Sequence, residues 1–171
     1  MQCVADIPLR IVLIGKDIEL RVVSLIIRAR EISDEVVLLD LGSDDSTMEL
    51  AQEVGCKSLH FSSTLNALEL AKFMEQAELE EAKTTLAIHI TDGWKLQDIS
   101  LSINRARELW DLHISYVTEL TGDDSNEDPI LSDLNFRHVV MTKAGMEAMA
   151  DFPEDATQEA LDQTLRVRIV R

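Results

Sequence analysis

Glu35-Val36-Val37-Leu38-Leu39-Asp40-Leu41-Gly42-Ser43-Asp44-Asp45-Ser46-Thr47 is the stretch whose reading decides the fold. Its apolar run, Val36 to Leu39, has no polar alternation, the pattern of a strand buried on both faces of a parallel sheet. A polar turn with a glycine follows. Ser46-Thr47-Met48-Glu49 then reads as a capping box, with Ser46 before the first helical turn and Glu49 three residues on, opening a helix that ends near Gly55. Strand, carboxylate-rich turn and helix together make half of a βαβ unit.

Working outward, the same alternation continues in both directions. Arg10 to Ile14 is a first strand, and Lys16 to Arg30 an amphipathic helix with Leu20, Val23, Ile26 and Ile27 on one stripe. Lys57 to Phe61 is a short third strand, and Thr64 to Lys83 a helix aligning Leu65, Leu68, Ala71 and Met74. Thr85 to Ile90 is a fourth strand, followed by a helix over Lys95 to Trp110 and a fifth strand within His113 to Leu120. The polar, acidic run Thr121 to Pro129 is a loop. Beyond it come a strand over Phe136 to Met141, short helices at Lys143 to Ala150 and Glu154 to Gln163, and a last strand at Leu165 to Val170. Such alternation specifies an α/β fold, a single Rossmann-like domain with a mostly parallel central sheet flanked by helices.

Composition narrows the function classes. The 171 residues include 16 Lys+Arg against 32 Asp+Glu, a formal net charge of −16. A chain so acidic repels DNA, RNA and anionic lipid, so no nucleic-acid partner is expected. No run approaches the roughly eighteen apolar residues of a membrane span. Met1 to Ile14 lacks the basic flank of a signal peptide. Cys3 and Cys56 form neither a CxxC pair nor a disulfide framework, which suits a reducing cytoplasm.

In open parallel sheets, ligands sit outside the carboxyl ends of the strands. Here those ends carry Gly15-Lys16-Asp17, then Asp40-Leu41-Gly42-Ser43-Asp44-Asp45, then Thr91-Asp92-Gly93. Acidic groups at three strand ends suit hydrogen bonding to a base or ribose, or a divalent metal, rather than direct contact with phosphate.

These residues resemble the family 2 glycosyltransferases, whose second strand reads E-I-I-V-V-D-x-G-S-x-D-x-T. Ala51 to Lys57 falls where that family has A-x-x-x-G-A-K, and Leu86 to Gly93 looks like the strand carrying D-x-D-G. Asn135-Phe136-Arg137 and Met141-Thr142-Lys143-Ala144 are similar to the S-G-F-R and downstream R-x-A of dolichol-phosphate mannose synthases. The resemblance implies a GT-A fold, with residues 1–118 as a nucleotide-binding-like βα part and 119–171 as a reduced acceptor-side part of one domain. It implies a nucleotide-diphospho-sugar donor and an acceptor of unspecified chemistry. Asp40 would meet the nucleobase, with Glu19, Gly42 and Ser43 beside it. Arg137 would reach a phosphate. Asp92 would help hold a divalent metal, Mg or Mn, and the diphosphate. No general base stands out among Asp123, Asp124, Asp128 and Asp133.

The chain also departs from the pattern. Gly15-Lys16-Asp17-Ile18-Glu19 stands where the family has P-x-x-N-E, so only Glu19 remains. Ser62 to Ala67 carries no basic residue, and Ile90 takes the place of the first carboxylate of D-x-D. The alternative is therefore a catalytically degenerate GT-A-like module that binds a nucleotide or a protein, with a homodimer as one possible form.

Several residues have plainer readings. Asp40 can cap its own turn, Asp44 and Asp45 can complement a helix N-terminus, and Asp92 can form a turn with Gly93. Trp94 can pack rather than stack on a base. His89 is a core histidine on strand four. His60 and His138 lack the spacing of zinc ligands. Met141, Met146 and Met149 read as core or interface, and Arg166, Arg168 and Arg171 as the solvent face of the last strand. Val37 to Gly42 also looks like the phosphoacceptor strand of response-regulator receivers. Those need an acidic pair where Gly15-Lys16 stands.

Overall fold

The computed structural model describes residues 9–63, 65–77, 79, 84–91, 136–153, 155, 157, 159–160, and 116–120 and 167–170, the last two and 136–138 as backbone alone. The strands are β1 (Leu9–Gly15), β2 (Glu35–Asp40), β3 (Lys57–His60), β4 (Thr84–His89), β5 (Tyr116–Leu120), β6 (Phe136–Met141) and β7 (Val167–Val170). The helices among the described residues are α1 (Val22–Arg30), α2 (Thr47–Glu53), α3 (Ala67–Gln76) and α4 (Lys143–Ala150). No helix among them is long and apolar enough to cross a membrane. The expected helices at Lys95 to Trp110 and, in large part, Glu154 to Gln163 lie outside the described residues.

The strands form one seven-stranded sheet in the order β3-β2-β1-β4-β6-β5-β7. β1 pairs in parallel with β2 and β4, and β2 with β3. β6 alone runs against its neighbours β4 and β5, while β5 and β7 are parallel. The fold is thus a single α/β domain with a mostly parallel sheet, and strands from both parts of the chain share it. The order steps from β1 out to β3 and then returns to place β4 on the other side of β1. The switch point therefore lies between the carboxyl ends of β1 and β4.

Both sheet faces are covered, which explains the unbroken apolar strands. Ile11, Leu13, Val36, Leu38, Leu86 and Ile88 point to the side of α1 and α2, where Leu25, Ile26 and Ala51 complete the cluster. Val12, Ile14, Val37, Leu39 and Ala87 point to the other side, under α3 and α4, with Met141, Met146 and Met149 fully in the core. Arg10, itself 1% exposed, is neutralised by Glu35 through Nε–Oε1 at 2.8 Å.

Two local expectations are corrected. Residues 16–21 are loop, and α1 begins at Val22. Its core face is Val22, Leu25, Ile26 and Ala29, while Leu20 is 93% and Ile27 54% exposed. The shorter helix has a different phase from the one drawn through Leu20. At α2, the Ser46 side chain makes no capping bond. Asp45 does that work, its Oδ1 accepting from the Thr47 N–H at 2.9 Å and from the Thr47 hydroxyl. The α3 helix, by contrast, is capped by Asn66, whose Oδ1 accepts from the Glu69 N–H at 2.8 Å.

Candidate functional site: two stitched loops at the carboxyl edge

Asp40 ends β2 and is 2% exposed. A buried carboxylate needs donors, and the following turn supplies them. Oδ2 accepts from the Gly42 N–H at 3.0 Å and the Ser43 N–H at 2.9 Å, and Oδ1 accepts from the Ser43 hydroxyl. Gly42 sits at φ +90°, in the left-handed region that glycine adopts without a Cβ clash. The turn folds back on its own aspartate, which is the capping role that such loops ask of an acidic residue.

The loop after β1 docks beside it through reciprocal bonds. The Asp17 N–H donates to Ser43 Oγ at 2.8 Å, and the Asp44 N–H to Asp17 Oδ1 at 2.8 Å. The Ile18 N–H donates to Thr47 Oγ1 at 2.9 Å, and the Glu19 N–H to Asp45 Oδ2 at 3.2 Å. The Ser46 N–H donates to Glu19 Oε2 at 3.1 Å. Burial pushes the Asp45 carboxyl up, but the Thr47 hydroxyl and the Thr47 and Glu19 amides outweigh it and hold the pKa below the usual value. At Gly15 an added Cβ would meet Ile18 Cδ1 at 2.9 Å, so the end of the Ile18 side chain would have to shift.

Across the switch point, Arg21 reaches from the β1 loop to the chain after β4. Its two terminal nitrogens donate to the Thr91 carbonyl at 3.3 and 3.2 Å. His60, the register partner of Asp40 on β3, brings its Nδ1 to 3.8 Å from Asp40 Oδ2 while its side chain stays 58% exposed. β6 runs antiparallel to β4 with His138 opposite Ile88, so the backbone of Arg137 reaches the same edge.

The structure therefore brings Glu19, Asp40, Gly42 and Ser43 together in two adjoining loops. Asp92 and Trp94 lie outside the described residues, as do the candidate bases Asp123, Asp124, Asp128 and Asp133 and the side chain of Arg137. Asp17, Arg21, Thr47 and His60 are the residues that the sequence reading undervalued. For Thr47 a signal existed in the D-x-T spacing of the motif.

Among the described residues no group of three or more His, Cys, Asp or Glu is disposed to hold an ion, and Asp92, the expected metal ligand, lies outside them. Ile90, at the place of the first D-x-D carboxylate, is 3% exposed and packed in the core. The loop carboxylates accept from backbone amides instead. His89 is half-buried, and burial pushes its pKa below the ordinary imidazole value, in line with a core role.

No protein-family model and no curated protein sequence matches the chain. Solved structures do. It is similar to CMP:2-keto-3-deoxy-manno-octonic acid synthetase complexed with CTP, at a TM-score of 0.54 and 13% identity over 95% of this chain and 88% of that one. It is also similar to 4-diphosphocytidyl-2C-methyl-D-erythritol synthase from Anaerococcus prevotii DSM 20548, at a TM-score of 0.54 and 13% identity over 94% and 86% of the two chains. A further crystal structure of such a synthase gives a TM-score of 0.52 at 13% identity over 96% and 88%. At these identities the likeness is one of fold.

Proposed function

We propose that the carboxyl edge of the sheet binds a nucleotide-diphospho-sugar and that the chain transfers the sugar to an acceptor, as family 2 glycosyltransferases of the dolichol-phosphate mannose synthase kind do. One observation carries the reading: the two stitched loops, 15–21 and 40–47, stand at the carboxyl edge, 15–21 bordering the switch point, of a sheet whose fold is shared with a synthetase that holds CTP. In such sheets this is where a ligand lodges.

The nucleobase would lie on the side of Glu19, Asp40, Gly42 and Ser43, where acidic groups favour an uncharged ring. The diphosphate would extend toward Thr91, Asp92 and Arg137. Arg137 would act through its planar fork, which matches phosphate oxygens in pairs. Transfer is a displacement: an acceptor oxygen attacks the anomeric carbon, the bond from that carbon to the diphosphate oxygen breaks, and the nucleoside diphosphate leaves. The proton of the acceptor passes to a base on the acceptor side.

A second reading, a module that binds nucleotide or protein without transfer, is favoured by Ile90 and by the commitment of the loop carboxylates to backbone amides.

The test is a thermal-shift panel of UDP, GDP, CDP and their sugar conjugates, each with and without Mn²⁺, combined with an assay for released nucleoside diphosphate. A ligand at about 100 times its Kd stabilises a fold by about 2.7 kcal/mol, about 5–10 °C for a domain of this size. A rise with release supports transfer, and a rise without release supports the binding module. No rise with any nucleotide contradicts nucleotide binding altogether.

A further inference from the structure

We infer that His60, rather than Asp40, makes the direct contact with the nucleobase. This rests on the nucleotide-binding reading and assigns the group that touches the ligand within it.

Asp40 is poorly placed to read a base. It is 2% exposed, and its two oxygens already accept from the Gly42 and Ser43 N–H groups and the Ser43 hydroxyl. What acceptor capacity remains on Oδ1 is buried with the side chain, away from an incoming ring. His60 has the opposite properties. It is paired in register with Asp40 at the end of β3, and its side chain is 58% exposed. Its Nδ1 edge is turned to the carboxylate at 3.8 Å. The adjoining position is Gly42, where an added Cβ would be in ordinary van der Waals contact with His60 Cε1, at 3.6 Å. No side chain at position 42 covers that edge of the ring.

The neighbouring charges select what the ring can meet. Asp17, Glu19, Asp44 and Asp45 belong to the adjoining loops, and their field disfavours phosphate close by. A neutral heterocycle is not repelled, and it stacks on an aromatic ring whichever base it is. The ligand class at this corner is therefore the base of a nucleotide, with the phosphates directed away from it toward Thr91.

Isothermal titration of wild type, His60→Ala and His60→Phe with UDP, CDP, GDP and inorganic pyrophosphate tests this. His60→Ala should weaken nucleotide binding roughly tenfold to a hundredfold, the scale of one lost stacking contact. His60→Phe should retain most of the affinity, and pyrophosphate binding should match in all three proteins. Both variants should melt near wild type, since the side chain is exposed. Wild-type affinity for nucleotide in His60→Ala overturns the contact while leaving the proposed function standing. Equal losses for nucleotide and pyrophosphate overturn it in favour of a phosphate contact. A wild type that binds no nucleotide brings down the proposed function, and the His60 contact with it.

Discussion

Asp40 and His60 are register partners on adjacent parallel strands, and Asp40 Oδ2 lies 3.8 Å from His60 Nδ1. One of the pair is buried and committed to its own turn, and the other is half open to solvent. On the proposed reading, loop architecture would fall to Asp40 and ligand contact to His60, two residues at one corner of the sheet.

Removing the Asp40 carboxylate should therefore cost stability before any ligand is present. Asp40→Ala leaves the Gly42 and Ser43 amides without their acceptor, worth about 1–3 kcal/mol, a fall in Tm of several degrees. Asp40→Asn, which keeps one oxygen acceptor, should recover part of it. Differential scanning fluorimetry of the ligand-free proteins decides this, and an unchanged Tm in Asp40→Ala would show that the turn does not depend on the carboxylate.

At the opposite end of the sheet, Arg10 and Glu35 form a pair with side chains only 2% and 13% exposed. Removing one member of a buried pair takes its countercharge from the other, so Glu35→Ala should lose up to about 3–5 kcal/mol. The double variant Arg10→Met/Glu35→Leu should regain most of that loss. Urea unfolding of the three proteins is the check, with the double variant more stable than the single one.

Leu25 on α1 and Leu20 in the loop before it should respond very differently. Leu25→Ala, at a site 1% exposed, should cost about 2–5 kcal/mol through lost burial and a cavity. Leu20→Ser, at a site 93% exposed, should fall within about 0.5 kcal/mol of wild type. Equal losses at the two positions would mean that the helix buries the stripe drawn from periodicity instead.

His89 should impart an acid sensitivity. Burial holds its folded-state pKa below the ordinary 6.5, so as pH falls the unfolded chain takes up this proton first. Stability from the neutral ring is intact above the unfolded value and declines as pH drops through 6.5 toward the folded pKa. Comparing urea midpoints at about pH 7.5 and about pH 5.5, the wild type should lose more than His89→Gln. Parallel losses in the two proteins would assign the acid sensitivity to other groups.

Much of the architecture was legible because it rests on local signals. The β2 run and its turn, the strand Phe136–Met141 and the helix Lys143–Ala150 fall where hydrophobic period and chain punctuation put them. The phase of α1 was not legible, because the loop from Lys16 to Arg21 carries Leu20, an apolar residue that mimics a helical stripe. The cap of α2 went to Asp45 because its carboxylate serves Thr47 and the β1 loop at once. The stitching of the two loops was hidden for a deeper reason. Its bonds join residues 26 to 29 positions apart, and no periodicity reports which side chain meets which amide across two strands. The candidate site was readable as a place, the carboxyl ends of β1, β2 and β4. The contrast between a buried Asp40 and an exposed His60 beside it became visible only with burial and register in hand.

The most direct measurement is a backbone amide NMR titration of the ¹⁵N-labelled chain with UDP, CDP and GDP. Binding at the carboxyl edge should move the resonances of residues 15–21, 40–47, 60–61 and 90–91 together and saturably, leaving Arg10 and residues 33–35 at the far end of the sheet in place. No movement with any of the three nucleotides, or movement confined to the far end, would contradict the assignment of this edge as the nucleotide site.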